Sequence, residues 1–102
     1  MTADEVDTFT ASLAGTRRQR VRGVTSWRFH GRLVVRHLDD QFVVIRTGFE
    51  ARDALVAQRP HVFTVPDHLS RHMMVVADLL TGQPDDIETA VRAAYELQRS
   101  AD

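Results

Sequence analysis

Between Val24 and Arg46 the chain alternates with a period of two, and two short breaks interrupt it, at His30-Gly31 and Asp39-Asp40. Such alternation sends successive side chains to opposite faces of a strand. Breaks this short fold each strand back beside the one before it. The stretch therefore predicts three meandering antiparallel strands, Val24–Phe29, Leu33–Leu38 and Phe42–Arg46. Trp27 and Phe29 share a face and are expected to meet the core, which turns Arg28 the other way.

Helical signals flank this meander. Thr2-Ala3-Asp4-Glu5 is a capping box, Val6, Phe9 and Leu13 fall on one stripe, and Gly15 closes a helix predicted over Ala3–Ala14. Thr47-Gly48-Phe49-Glu50 repeats the capping pattern. It predicts a helix through Leu55 and Val56 that stops before Pro60, because proline disfavours helix in the preceding residue. His61–Val65 and Met73–Leu79 read as two more strands, the second the most hydrophobic and central. Gly82 breaks the chain, Pro84 suits a first helical position, and Asp85, Asp86 and Glu88 complement the helix dipole there. Ile87, Val91, Ala94 and Leu97 give this last helix its apolar face. The expected class is α+β: an antiparallel sheet of about five strands with helices on one face, in the order α-β-β-β-α-β-β-α. The 102 residues suffice for one domain, 1–102.

Composition removes several kinds of chemistry. There is no cysteine, hence no disulfide framework, thiolate nucleophile or thiolate metal site. The opening MTADEVDTF lacks the basic and apolar regions of a secretory signal. The longest apolar run, Met73–Ala77, falls far short of the roughly 20 residues of a membrane span. A soluble, cytoplasmic protein with no membrane partner is expected.

Charge is informative through its distribution. The formal net charge is −1, and all thirteen basic residues are arginine. Between Thr8 and Leu38 stand seven arginines and no acidic residue, leaving fourteen acids against six arginines elsewhere. Guanidinium groups are planar forks suited to phosphate. Extended, Arg18, Arg20 and Arg22 would project to one side about 7 Å apart, near the spacing of phosphates along a strand. Arg28, Arg32 and Arg36 from the adjoining hairpin would extend the patch. The competing interpretation is that strands alternate because one face is wet. Trp27 would stack on a base if it faced outward, and otherwise belongs to the core.

The chain also resembles a known family. Its first helix ends in Ser12-Leu13-Ala14-Gly15, a strand carries Trp27-Arg28-Phe29, and Gly31–Arg36 reads GRLVVR. EARDAL at Glu50–Leu55, RPHVFTVPDH at Arg59–His68 and the closing helix segment Ala90–Leu97 follow in order. Over nearly its whole length this resembles the YjbR/MmcQ-like family of small bacterial proteins. The resemblance implies an α/β domain likened to the frataxin-type arrangement, and DNA binding through hairpins that have been compared to a pair of wings. Where many members have a lysine-rich, aromatic loop before the last strand, this chain has His68-Leu69-Ser70-Arg71-His72-Met73.

Other constellations have ordinary explanations. His68 and His72 are four apart beside Asp67, with His61 near in sequence, but they fall in a loop and lack the glutamate of a hydrolytic zinc helix. No metal site and no cofactor is expected. No serine sits in a nucleophile elbow, the five glycines read as turns, caps or strand ends, and Asp39-Asp40 and Asp85-Asp86 read as a turn and a helix start. An enzyme is not expected. The sequence points to weak, largely nonspecific DNA binding through Arg18, Arg20, Arg22, Arg28 and Arg32, with Arg36 and Arg71 as contributors. The alternative is a protein-interaction domain whose basic patch meets an acidic partner, or its own acidic helices in a homodimer.

Overall fold

In a computed structural model, which describes residues Met1–Ala101, the chain begins with the expected capping box. Glu5 N donates to Thr2 Oγ1 at 3.1 Å and Thr2 N donates to Glu5 Oε1 at 2.8 Å, opening α1 (Ala3–Ala11). Four strands follow without interruption: β1 (Thr16–Val21), β2 (Val24–Phe29), β3 (Arg32–His37) and β4 (Phe42–Ile45). Then come α2 (Phe49–Gln58), the two-residue β5 (Phe63–Thr64), a 3₁₀ turn at Asp67–Leu69, β6 (Val75–Asp78) and α3 (Pro84–Ser100). All neighbours are antiparallel, in the spatial order β1-β2-β3-β4-β6-β5.

The architecture is thus α+β with the helices on one side of one sheet, and it has six strands instead of about five. The extra one is the arginine tract itself. Its turn, Arg22-Gly23, has φ of 52° and 78°, and the next hairpin turn, His30-Gly31, has 49° and 81°. Two central residues at positive φ match the right-handed twist of the strands they join. The most hydrophobic strand, β6, is interior as expected, but it spans Val75–Asp78. The second capping box does not form. The N-cap of α2 is Gly48, without a side-chain bond, while Thr47 is fully buried and its hydroxyl has no partner among the described residues. Instead α3 carries a box, in which Asp86 Oδ2 accepts from the Gln83 amide at 3.2 Å.

The core lies between sheet and helices. Val6 of α1, Val35, Val43, Ile45, Phe63, Val75 and Ala77 of the sheet, and Ile87, Ala90, Val91 and Ala94 of α3 are all essentially inaccessible. Register identifies the face each strand residue takes, because directly opposed residues share a face. One cross-strand row runs Arg18, Trp27, Val35, Ile45, Val75 on the helix side. The neighbouring row runs Gln19, Ser26, Arg36, Val44, Val76, Thr64 on the outer side.

One irregularity re-aims the arginines. Trp27 pairs with Val35 but Arg28 pairs with Leu33, so Val34 is an extra residue on β3. Both Val34 and Val35 are buried in the core. A bulge of this kind shifts the alternation beyond it. Arg32 consequently faces the helices while Arg36, four residues on, faces outward.

Two carboxyls are held below their ordinary range. Glu5 is lowered chiefly by the backbone and side-chain bonds of Thr2. At Asp78 desolvation pushes the value up, but bonds from the Leu80 amide, Gln41 and Thr81 outweigh it and leave it lowered. A depressed folded-state value means that the ionised form stabilises the fold. That contribution is complete above the unfolded-state carboxyl value and is lost as pH falls through the lower folded one. Stability measured by urea unfolding is therefore expected to drop between about pH 5 and pH 2. In Asp78→Asn the drop should be smaller, with lower stability than the parent at pH 7.

Candidate nucleic-acid interface

Four successive strands each contribute one arginine to the outer face. Arg17 on β1 lies directly opposite Arg28 on β2, and Arg36 on β3 lies opposite Ser26 and Val44. Arg46 directly follows β4, its amide donates to Val34 O at 3.0 Å, and it continues the alternation onto this face beyond Ile45. Like charges directly across an antiparallel pair are unfavourable. Arg17 facing Arg28 is therefore costly in the free protein, and an anion placed between them would relieve that cost.

Beside the arginines the outer face carries uncharged residues, polar at Gln19, Ser26 and Thr64 and apolar at Leu33, Val44 and Val76, with little negative charge. No helix covers it, yet Leu33, Val44 and Val76 are only 6%, 1% and 7% exposed. The positions flanking the two valines include Arg36, Phe42, Arg46 and Met74, side chains long enough to lie over them. The Nε atoms of Arg28 and Arg36 are enclosed and have no partner among the described residues. Arg28 Nη1 donates to Gly31 O at 3.2 Å, which fixes its direction. At the far end of the strands, Val21, Val24 and Leu38 are 55%, 42% and 53% exposed and form an apolar border. Asp78, the one strand carboxylate on this face among the described residues, sits opposite Phe42 at that end, and its Oδ1 accepts from Leu80 N and Gln41 Nε2.

The structure divides the arginines that the sequence groups together. Arg18 and Arg20 share the helix-side face with Trp27 and Thr25, across β2 from Arg28. There they border a groove that Asp4, Asp7, Asp39 and Asp40 also line, so acidic groups stand on the same side as their charge. Arg22 occupies the β1–β2 turn. Arg32 points to the helices and donates from Nη2 to Gln98 O at 2.8 Å, at the carbonyl end of α3. Arg71 stands in the β5–β6 loop, across the sheet from β1. Of the seven candidates only Arg28 and Arg36 are strand residues directed to the outer face. Their companions are Arg17 and Arg46. The signal for Arg17 was the Arg22-Gly23 turn: a two-residue hairpin loop fixes the register that sets Arg17 against Arg28.

Ion pairing leaves the outer face unneutralised. Among the described residues the ion pairs are His37–Asp7, Arg52–Asp53, Arg59–Asp86 and Arg99–Glu96. None involves Arg17, Arg28, Arg36 or Arg46.

Trp27 is a core residue. It is 7% exposed, and its Nε1 donates to Asp7 Oδ1 at 2.8 Å. The same oxygen lies 2.7 Å from His37 Nε2, so one carboxylate on α1 ties that helix to β2 and β3. The stacking role open to an outward tryptophan is thereby ruled out. His61, His68 and His72 are exposed. Among the described residues no three histidine, aspartate or glutamate side chains gather into a metal-binding set. No helix is long and apolar enough to cross a membrane. No protein-family model matches the chain, and no curated protein matches it either.

Proposed function

We propose that this protein binds nucleic acid, through phosphate contacts made by Arg17, Arg28, Arg36 and Arg46 on the open face of its sheet. The observation that carries the reading is a set of arginines on one surface, one on each of β1, β2 and β3 and one directly after β4, none of them paired with a carboxylate among the described residues. The resemblance of the sequence to YjbR/MmcQ-like proteins points the same way. The interface differs from the one read off the arginine tract: it lies on the sheet's outer face and excludes Arg18, Arg20 and Arg32. Phosphate contacts position a protein without reading sequence, and no helix is presented to a groove. Binding is therefore weak and nonspecific.

Fluorescence anisotropy with a labelled duplex across a salt series tests this. Four contacts give a log–log slope of affinity against salt of about −3.6 on duplex and about −2.8 on single strands. Undetectable binding at low salt ends the proposal.

A second reading has its own observation. β1 is an edge strand, and every residue after Thr16 is exposed. Such an edge accepts an added strand, and arginines on both its faces favour an acidic one. The groove bearing Asp4, Asp7, Asp39 and Asp40 offers a homodimer the complementary charge. A dimer that dissociates with salt in size-exclusion chromatography, in a protein with no affinity for nucleic acid, would favour this alternative.

A further inference from the structure

At the end of the sheet beside the β2–β3 turn, Arg17 and Arg28 of the outer face and His30 line one depression, completed by Gln19, Gly15 and Gly31 and bordered by Arg18 of the helix side. Among the described residues no carboxylate borders it. Thr16 pairs with Phe29, so the bend at Gly15 and the β2–β3 turn lie side by side and bound the depression at the end of the sheet. Its members are held in place. The His30 ring stacks on Phe29 with centroids 4.1 Å apart and planes 6° apart, and Phe29 in turn meets Tyr95 edge-on. Arg28 is directed by its bond to Gly31 O.

We infer that this corner holds a phosphate monoester, the terminal phosphate of a bound strand. The inference rests on the nucleic-acid reading and adds to it a place where the strand ends. The charge favours a monoester over a diester. Arg17 and Arg28, directly opposed across two strands, both line it, and a terminal phosphate brings about −1.5 to −2 charges with three acceptor oxygens, against one charge on a bridging phosphate. Guanidinium forks bind such an anion through short, charge-assisted hydrogen bonds. Its place agrees, because the depression lies at the end of the sheet, beside the bend at Gly15 and the β2–β3 turn.

The test compares a short single strand carrying a 5′-phosphate with the same strand ending in a 5′-hydroxyl, at constant ionic strength. The phosphorylated strand is expected to bind about tenfold more tightly. Arg17→Gln, a change at an exposed position, should abolish that advantage, while Arg20→Gln on the other face should keep it. Equal affinity for the two strands overturns the inference and leaves the nucleic-acid reading standing. Binding of neither overturns both, with one distinction drawn by ribose 5-phosphate. If that compound shifts the Gly15 and Gly31 amide resonances while neither strand binds, the corner is a monoester site for a small molecule, and the strand-end assignment is overturned.

Discussion

Replacing Arg17, Arg28, Arg36 and Arg46 together with glutamine is expected to lower affinity for duplex DNA by about three and a half orders of magnitude near 0.1 M salt. Each phosphate neutralised releases close to one condensed counterion, and at that salt each release contributes nearly a factor of ten. The salt slope should collapse with the affinity, since both count the same contacts. Arg18→Gln with Arg20→Gln removes two charges from the same tract, yet the expected loss is less than about tenfold. Those two side chains border four aspartates and lie on the opposite face of the sheet. Net charge alone does not predict this contrast. A chain that attracted DNA by its acid-free segment as a whole would respond about equally, charge for charge, to both sets. Arg28 and Arg36 also have enclosed Nε atoms, so circular dichroism and urea unfolding must accompany the measurement. An unfolded quadruple variant is replaced by Arg17→Gln with Arg46→Gln, which should still reduce the slope by about 1.8 units on duplex. No change in slope would mean that the outer face makes no phosphate contact.

What could be seen in the sequence follows from which residues carry a one-sided pattern. α3 buries one face and exposes the other, and β2, β3 and β4 are apolar-rich runs separated by short polar turns, so these elements appear directly in the residues. β1 buries neither face: its alternation is arginine against arginine and glutamine, and no apolar stripe marks it as a strand. Only the Arg22-Gly23 turn between Val21 and Val24 gives it away. The bulge was equally hidden, because Leu33-Val34-Val35 is a continuous apolar run in which no residue stands out as extra. That is why Arg32 and Arg36 read as one patch and fold onto opposite faces. Thr47 shows the converse error, a correct local signal overridden by packing, since its side chain is fully buried and does not cap α2. For the interface, the outward direction of Arg28 followed from the inward direction of Trp27. The membership of Arg46 did not, because the pairing of β3 with β4 joins residues that no local pattern links.

Trp27 links the fold to the interface, and Trp27→Ala is expected to lower stability by about 3–5 kcal/mol. The indole fills the helix side of β2 between Arg18 and Val35 and is part of the main core cluster. Truncation would leave a cavity and remove one of the two groups that hold Asp7. Trp27→Phe separates the two effects. It keeps most of the volume but deletes the Nε1 donor, leaving the Asp7 carboxylate with His37 at 2.7 Å, and should cost about 1–2 kcal/mol. Against a total of about 5–15 kcal/mol for a domain, the alanine variant loses a large share and the phenylalanine variant a modest one. Urea titration reads both, and an unchanged slope against denaturant would show that the loss lies in the folded state. Nucleic-acid affinity of whichever variant remains folded should match the parent, because Trp27 and the four arginines face opposite ways. The result bears directly on the interface, since successive residues of a strand take opposite faces. A loss under about 1 kcal/mol for Trp27→Ala would place the indole in solvent. Arg28 and its cross-strand partner Arg17 would then turn inward, and Arg18 and Arg20 would take their place outside.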